Sequence, residues 1–139
     1  MTQPKRLSNR LSVTPQIDPA DMRELAAAGF RSVISNRPDG EEPDQPDWAT
    51  IERAARDAGM EARHIPVTPD AITDDHASRF AAALEELPGP IVAFCRTGKR
   101  SATLWALSEA GRLSADAIVR TAGDAGYDLS PLRQRLSRD

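Results

Sequence analysis

The feature that most constrains this chain is a run of four apolar residues, Ile91-Val92-Ala93-Phe94, with no polar member and hard punctuation on both sides. Pro88-Gly89-Pro90 precedes it, and a basic, glycine-containing run follows it. A strand with no polar residue has no face to offer to water. The run reads as a short, continuous apolar strand. The residues after the basic run, with Ala102, Trp105 and Leu107 ahead of Gly111, read as a helix. The unit is therefore strand, tight loop, helix.

The same alternation runs through the rest of the chain. Arg10-Leu11-Ser12-Val13 reads as a short first strand. Asp18 caps a helix with Pro19 at its first position, Met22, Leu25 and Ala26 on its apolar face, and Gly29 as its stop. Phe30 to Ser35 reads as a buried strand. A polar loop, Asn36 to Pro43, leads into a helix with Trp48, Ile51 and Ala55 on one face, ending at Gly59. Met60 to Val67 alternates as a strand does, and Thr73 caps a helix whose face is Ala77, Phe80, Ala81 and Leu84. Ser114 and Ser130 read as caps for two further short helices. Strand-helix alternation predicts an α/β fold, a mostly parallel sheet flanked by helices, with ligands at the carboxyl ends of the strands. The loops after Ser35, Val67 and Phe94 lie at such ends and carry Arg37, Asp70 and Cys95. The acidic, proline-rich stretch from Asp39 to Asp47 is long enough to shape a site there.

Composition narrows the classes. At 139 residues the chain fits one domain, 1–139. The net charge of -3 argues against a nucleic-acid partner. No stretch has the length and apolarity of a membrane helix, and no apolar run follows Met1 to Arg6. A lone cysteine forms no internal disulfide, which points to a reducing, cytoplasmic setting. One cysteine and two separated histidines, His64 and His76, make no metal cluster, so neither metal nor cofactor is expected. Both histidines read as structural, and Trp48 and Trp105 as core.

Cys95-Arg96-Thr97-Gly98-Lys99-Arg100-Ser101 carries the chemistry. The thiolate, not the thiol, is the nucleophile. A cysteine between a strand and a helix meets the positive end of the helix dipole and the backbone N–H groups of the turn. Arg96, Lys99 and Arg100 add three formal positive charges. All of this favours a thiolate and a bound oxyanion. Gly98 permits a tight turn, and Ser101 is placed to donate a hydrogen bond to the sulfur. A buried, inert cysteine beside a solvated basic face is the alternative, and the combination of strand end, helix start, glycine and cations speaks against it.

This loop resembles the active-site loop of cysteine-dependent phosphatases and that of rhodaneses. The wider chain is similar to one bacterial family, the beta-lactamase-hydrolase-like phosphatase-like domains, also labelled a sulfur transferase family. Gln16, Ala28-Gly29-Phe30, Val33 to Glu41, Ile65-Pro66-Val67 and Cys95 to Trp105 carry the resemblance, which spans roughly residues 7 to 110. It implies a protein tyrosine phosphatase-like fold of the small dual-specificity type, with a four- or five-stranded sheet. The loop departs from the phosphatase pattern twice. Phe94 stands where such enzymes have histidine, and four residues rather than five separate Cys95 from Arg100. Rhodaneses use the shorter spacing, and their cysteine carries a persulfide.

The candidate catalytic residues are Cys95, Arg100, Asp70 and Ser101, with Arg96, Thr97, Gly98, Lys99 and Arg37 as candidate substrate-binding residues. Asp70 is the expected general acid, with Asp74 and Asp75 as alternatives that also suit the first turn of a helix. Arg37 either reaches the oxyanion or pairs with Asp39 or Glu41 in its own loop. The expected partner is a phosphorylated small molecule or protein, or a sulfane-sulfur donor. Three functions remain open: a phosphatase-like hydrolase, a sulfurtransferase, and a weakly catalytic oxyanion or phosphoprotein binding module. Oligomeric state is not encoded in any feature of the sequence.

Overall fold

A computed structural model describes residues 3–137. Its sheet has five strands: β1 Lys5–Arg6, β2 Leu11–Thr14, β3 Ser32–Ser35, β4 Glu61–His64 and β5 Ile91–Phe94. The strand order is β1-β2-β5-β3-β4, parallel throughout except for the antiparallel β1–β2 pair. The apolar run is thus the central strand, flanked by β2 and β3. Its side chains alternate between two cores. Ile91 and Ala93 join one with Ile34, Phe80, Leu104 and Ile118, and Val92 and Phe94 join the other with Val33, Leu25 and Ile51.

Helices α1 Met22–Ala27 and α2 Trp48–Asp57 cover one face. Helices α3 Asp74–Glu86, α4 Lys99–Glu109, α5 Ala115–Asp124 and α6 Arg133–Leu136 pack on the other. Residues 100–107 of α4 are all buried. A helix buried on every side is fixed in place, and this one follows directly from the cysteine loop.

The local signals act largely as read. Asp18 caps a 3-10 turn at Pro19–Asp21 that leads into α1, and Thr73 and Ser114 accept cap hydrogen bonds from His76 and Ala117. Four details differ. β1 is an added edge strand of exposed, charged residues with no hydrophobic pattern to announce it. β4 stops at His64 because Pro66 lacks the N–H a ladder needs, although Ile65 N–H and Val67 N–H still reach the carbonyls of Ser35 and Asn36. The buried stripe of α3 is Ala77, Phe80 and Ala83, with Ala81 and Leu84 half-buried beside it. Ser130 is not a cap but the first residue of a 3-10 turn, its own N–H bonded to Asp128.

Candidate active site

The loops after β3, β4 and β5 converge at the carboxyl end of the sheet. Backbone hydrogen bonds join them: Asn36 N–H donates to Phe94 O at 2.8 Å and Val67 N–H to Asn36 O at 3.1 Å. Gln16 N–H, just beyond β2, reaches Arg96 O at 3.2 Å.

Cys95 is buried at the end of β5. The Gly98 N–H donates to its Sγ at 3.1 Å. Gly98 sits at φ 93°, in the left-handed region, and serves as the N-cap of α4. A side chain there would be strained, because a Cβ would lie 2.1 Å from the Tyr127 hydroxyl, which would have to shift. That hydroxyl donates to Thr97 O at 3.2 Å. Burial, and then the charge Cys95 can carry, raise the Tyr127 phenol above its ordinary value. Tyr127 is thus tied to the cysteine loop through Thr97 and packs against Gly98.

Arg100, in the first turn of α4, is buried and clamped. Its Nη1 donates to Glu41 Oε2 at 2.7 Å and to Val67 O at 3.0 Å, and its Nη2 donates to Glu41 Oε1 at 2.9 Å. A guanidinium has five N–H groups. The three used here leave Nε–H and a second Nη2–H on one edge, a geometry that matches two oxygens of a tetrahedral anion, and the side chain also interacts with the Cys95 sulfur. Its hydrogen bonds to Glu41 raise the Arg100 pKa above its ordinary value; burial opposes this and the Cys95 charge adds to it. In return, the two arginines hold the Glu41 carboxyl down to about 2, Arg100 contributing most.

Arg37 is not brought to the anion. It is buried and held by Glu41 at 2.8 Å, Glu42 at 2.5 Å and Gln16 at 3.0 Å. The pairing within its own loop is what forms, and Arg37 supports Arg100 through the shared Glu41. Ser101 also departs from expectation. Its hydroxyl donates to Asn36 Oδ1 at 2.8 Å, so its one proton is committed away from the sulfur, while Asn36 Nδ2 donates to Ile65 O at 2.9 Å. Ser101 and Asn36 hold two of the converging loops together.

Beside the cysteine loop lies a cleft of about 810 Å³. Arg96, Thr97, Lys99, Arg100 and Asp70 all line it, so Asp70 shares a cavity with the loop. Asp74 is also in the lining and is bound by Arg135, whereas Asp75 pairs with Arg79 on the exposed side of α3. His64 is structural, its Nε2 at 2.9 Å from Arg37 O and its ring stacked on Trp48. Trp48 is half-buried at the edge of its core; Trp105 is fully within the other. Among the described residues no group of three or more His, Cys, Asp or Glu is arranged to hold a metal ion, and no helix is long and apolar enough to cross a membrane.

Sequence reasoning missed Glu41 as the Arg100 clamp, Asn36 as the partner of Ser101, and the segment 127–135 as part of the site. Glu41 stood in a loop already marked as long enough to shape a site, which is the one available signal. Tyr127 is the only tyrosine in the chain, with no motif around it.

Comparison with known proteins bears on this arrangement. Residues 4–112 match the model of the family described as Beta-lactamase hydrolase-like protein, phosphatase-like domain. A Beta-lactamase hydrolase-like protein of Agrobacterium fabrum is 38% identical over 135 residues, covering 96% of this chain and 31% of its own length. The chain thus spans about a third of that relative. Among solved structures, a candidate phosphatase of Neisseria meningitidis superposes with a TM-score of 0.87 at 36% identity, covering 95% of this chain and 94% of its own. Tk-PTP, in its active form, shares the fold at 19% identity, with a TM-score of 0.73 and coverage of 96% and 92%. The architecture is therefore protein tyrosine phosphatase-like, and the chain belongs to the phosphatase-like domain family of Beta-lactamase hydrolase-like proteins.

Proposed function

We propose that this domain is a cysteine-dependent phosphatase-like hydrolase. The observation that carries the reading is Arg100. Clamped by Glu41 and Val67 O, it keeps one two-donor edge for an oxyanion in the same loop as Cys95. In the first step the Cys95 thiolate attacks phosphorus, an S–P bond forms and the P–O bond to the alcohol breaks. Asp70 gives its proton to the departing oxygen. In the second step water attacks the cysteinyl phosphate, the S–P bond breaks, and Asp70 takes the proton from that water. The loop amides, the amino end of α4 and Arg100 stabilise the charge on the equatorial oxygens. Arg96, Thr97, Gly98 and Lys99 frame the anion; Ser101 acts through Asn36 and Arg37 through Glu41.

A second reading rests on the loop length. Four residues between Cys95 and Arg100 suit a rhodanese-like transfer. Cys95 would attack the sulfane sulfur of thiosulfate, forming an S–S bond and releasing sulfite, and then pass that sulfur to cyanide or an acceptor thiol.

Two assays separate the readings. Turnover of para-nitrophenyl phosphate that vanishes in Cys95→Ser supports the hydrolase. Fast thiosulfate:cyanide transfer, with Cys95 gaining about 32 Da as a persulfide, supports sulfur transfer and overturns the hydrolase as the main activity. Oxyanion binding without either turnover points to a binding module.

A further inference from the structure

The cleft beside the cysteine loop is lined by apolar side chains as well as charged ones, and we infer from that mixture that its ligand is a small monophosphate ester with an apolar body rather than a polyphosphorylated one. This inference rests on the hydrolase reading for the phosphate and goes beyond it for the rest of the ligand.

Size comes first. A volume of about 810 Å³ is that of a site for a whole small molecule, since such sites run about 300–1,000 Å³. Part of the lining is an apolar wall contributed by Ile72 before α3 and by Leu129, Pro131 and Leu132 after α5, with Asp70, Asp74 and Asp128 interleaved along the same segments. Residues 129–132 lie beyond the 4–112 segment that the family model matches. The wall is held in place. Arg135 Nη2 donates to Ile72 O at 2.7 Å and to Asp74 Oδ1 at 3.2 Å, joining the C-terminal segment to the loop before α3. Leu129 is buried and joins the core that contains α4.

Charge decides between ligands. The lining holds the cations Arg96, Lys99, Arg100 and Arg135, but also the carboxylates Asp70, Asp74 and Asp128. Much of the positive charge is already matched: Arg100 by Glu41, Arg135 by Asp74. Lys99 lies close enough to Asp128 to help lower its carboxyl, after the larger effect of the Ser130 hydrogen bonds. A single phosphate at the loop meets directional N–H donors and a modest positive surplus. Further phosphates would share the cleft with Asp70, Asp128 and the apolar side chains, where like charges and lost hydration both count against them. An aryl or alkyl body removes the wall from water instead.

The test measures binding by Cys95→Ser protein, which cannot turn over, using titration calorimetry with phenyl phosphate, 1-naphthyl phosphate and inositol hexakisphosphate at one ionic strength. The second ring should tighten binding about tenfold, and the hexakisphosphate should bind more weakly than either. Leu132→Ser, at a half-buried lining residue outside the catalytic groups, should bring the naphthyl preference close to unity, with phenyl phosphate affinity falling by less than that of 1-naphthyl phosphate. If that variant melts early, Ile72→Thr replaces it. Equal affinity for the two aryl esters, or tighter hexakisphosphate binding, overturns the inference. Turnover by unsubstituted protein is scored separately. Phenyl phosphate hydrolysis without the naphthyl preference sinks the inference alone. The preference without any hydrolysis sinks the hydrolase reading and leaves the apolar wall as a binding surface.

Discussion

Replacing Glu41 by Gln tests the clamp on which the anion site rests. In the structure its carboxylate accepts two N–H groups from Arg100, at 2.7 and 2.9 Å, and one from Arg37 at 2.8 Å. Those interactions lower its pKa from 4.5 to about 2. Taken alone, such a shift sets an upper bound of about 3 kcal/mol. The Glu41 side chain is 24% exposed, so solvent screens part of it, and about 2 kcal/mol is the working figure. Glu41→Gln removes the charge between two buried guanidinium groups and turns an amide N–H toward donors. It should lower the melting temperature by about 8 °C at neutral pH. The sign with pH follows from linkage. A carboxyl held below its unfolded value adds stability above that value, and the stability is lost as pH falls through the folded one. The gap between native and variant protein, read by urea unfolding, should therefore be constant above about pH 5 and shrink as pH falls toward 2. Arg100 would keep Val67 O and lose its bidentate hold, so affinity for inorganic phosphate should drop about tenfold or more, along with kcat/KM on phosphate esters. Unchanged stability and unchanged phosphate affinity at neutral pH would refute the clamp.

Asp70→Asn should slow hydrolysis of an alkyl phosphate about a hundredfold while slowing para-nitrophenyl phosphate far less, because the nitrophenolate leaves without help; equal losses on both substrates count against Asp70 as the acid. Gly98→Ala puts a Cβ 2.1 Å from the Tyr127 hydroxyl at a φ of 93° and should cost about 2 to 3 kcal/mol in urea unfolding. Adding Tyr127→Phe should recover only part of this, since the ring carbon at 2.9 Å and the positive φ remain; full recovery would mean the backbone conformation is not limiting. Asn36→Ala leaves the buried Ser101 hydroxyl and Ile65 carbonyl without partners and should cost about 2 kcal/mol or more, measured the same way.

The fold was legible where its determinants are local. Ile91 to Phe94 announced a strand because four consecutive apolar residues are set between Pro88-Gly89-Pro90 and the basic loop, although its central place comes from the pairing with β2 and β3. Asp18, Thr73 and Ser114 announced helix starts because a cap is satisfied within three residues. Cys95, Gly98 and Arg100 were legible because a loop, a positive φ and a helix start all fall within one short segment. The clamp was not, because Glu41 and Arg100 are 59 positions apart and meet only when β3 and β5 pair. Ser101 misled for the same reason: its partner Asn36 is 65 positions away, and sequence neighbours alone favoured the sulfur. β1 was invisible, since Lys5–Arg6 is an exposed edge whose pairing comes from the backbone.

The clamp also bears on what kind of anion site this is. Were Arg100 unpaired, the loop would hold an oxyanion by net charge, tightly and with little regard to shape. Glu41 offsets much of the Arg100 charge and leaves the directional edge of the guanidinium. Binding then depends on two N–H groups, the loop amides and the helix end pointing to where the oxygens stand. Such donors act most strongly on the geometry in which charge has developed, and a neutralised site releases a product anion more readily than a bare cation does. The same arrangement accounts for burying Arg37, whose charge is spent on fixing Glu41 through a shared carboxylate. With α4 buried on all sides and Arg100 in its first turn, the cysteine loop supplies Cys95 and the guanidinium, and its neighbour after β3 supplies the counter-charge. The site is thus assembled by the pairing of two parallel strands rather than by the cysteine loop alone.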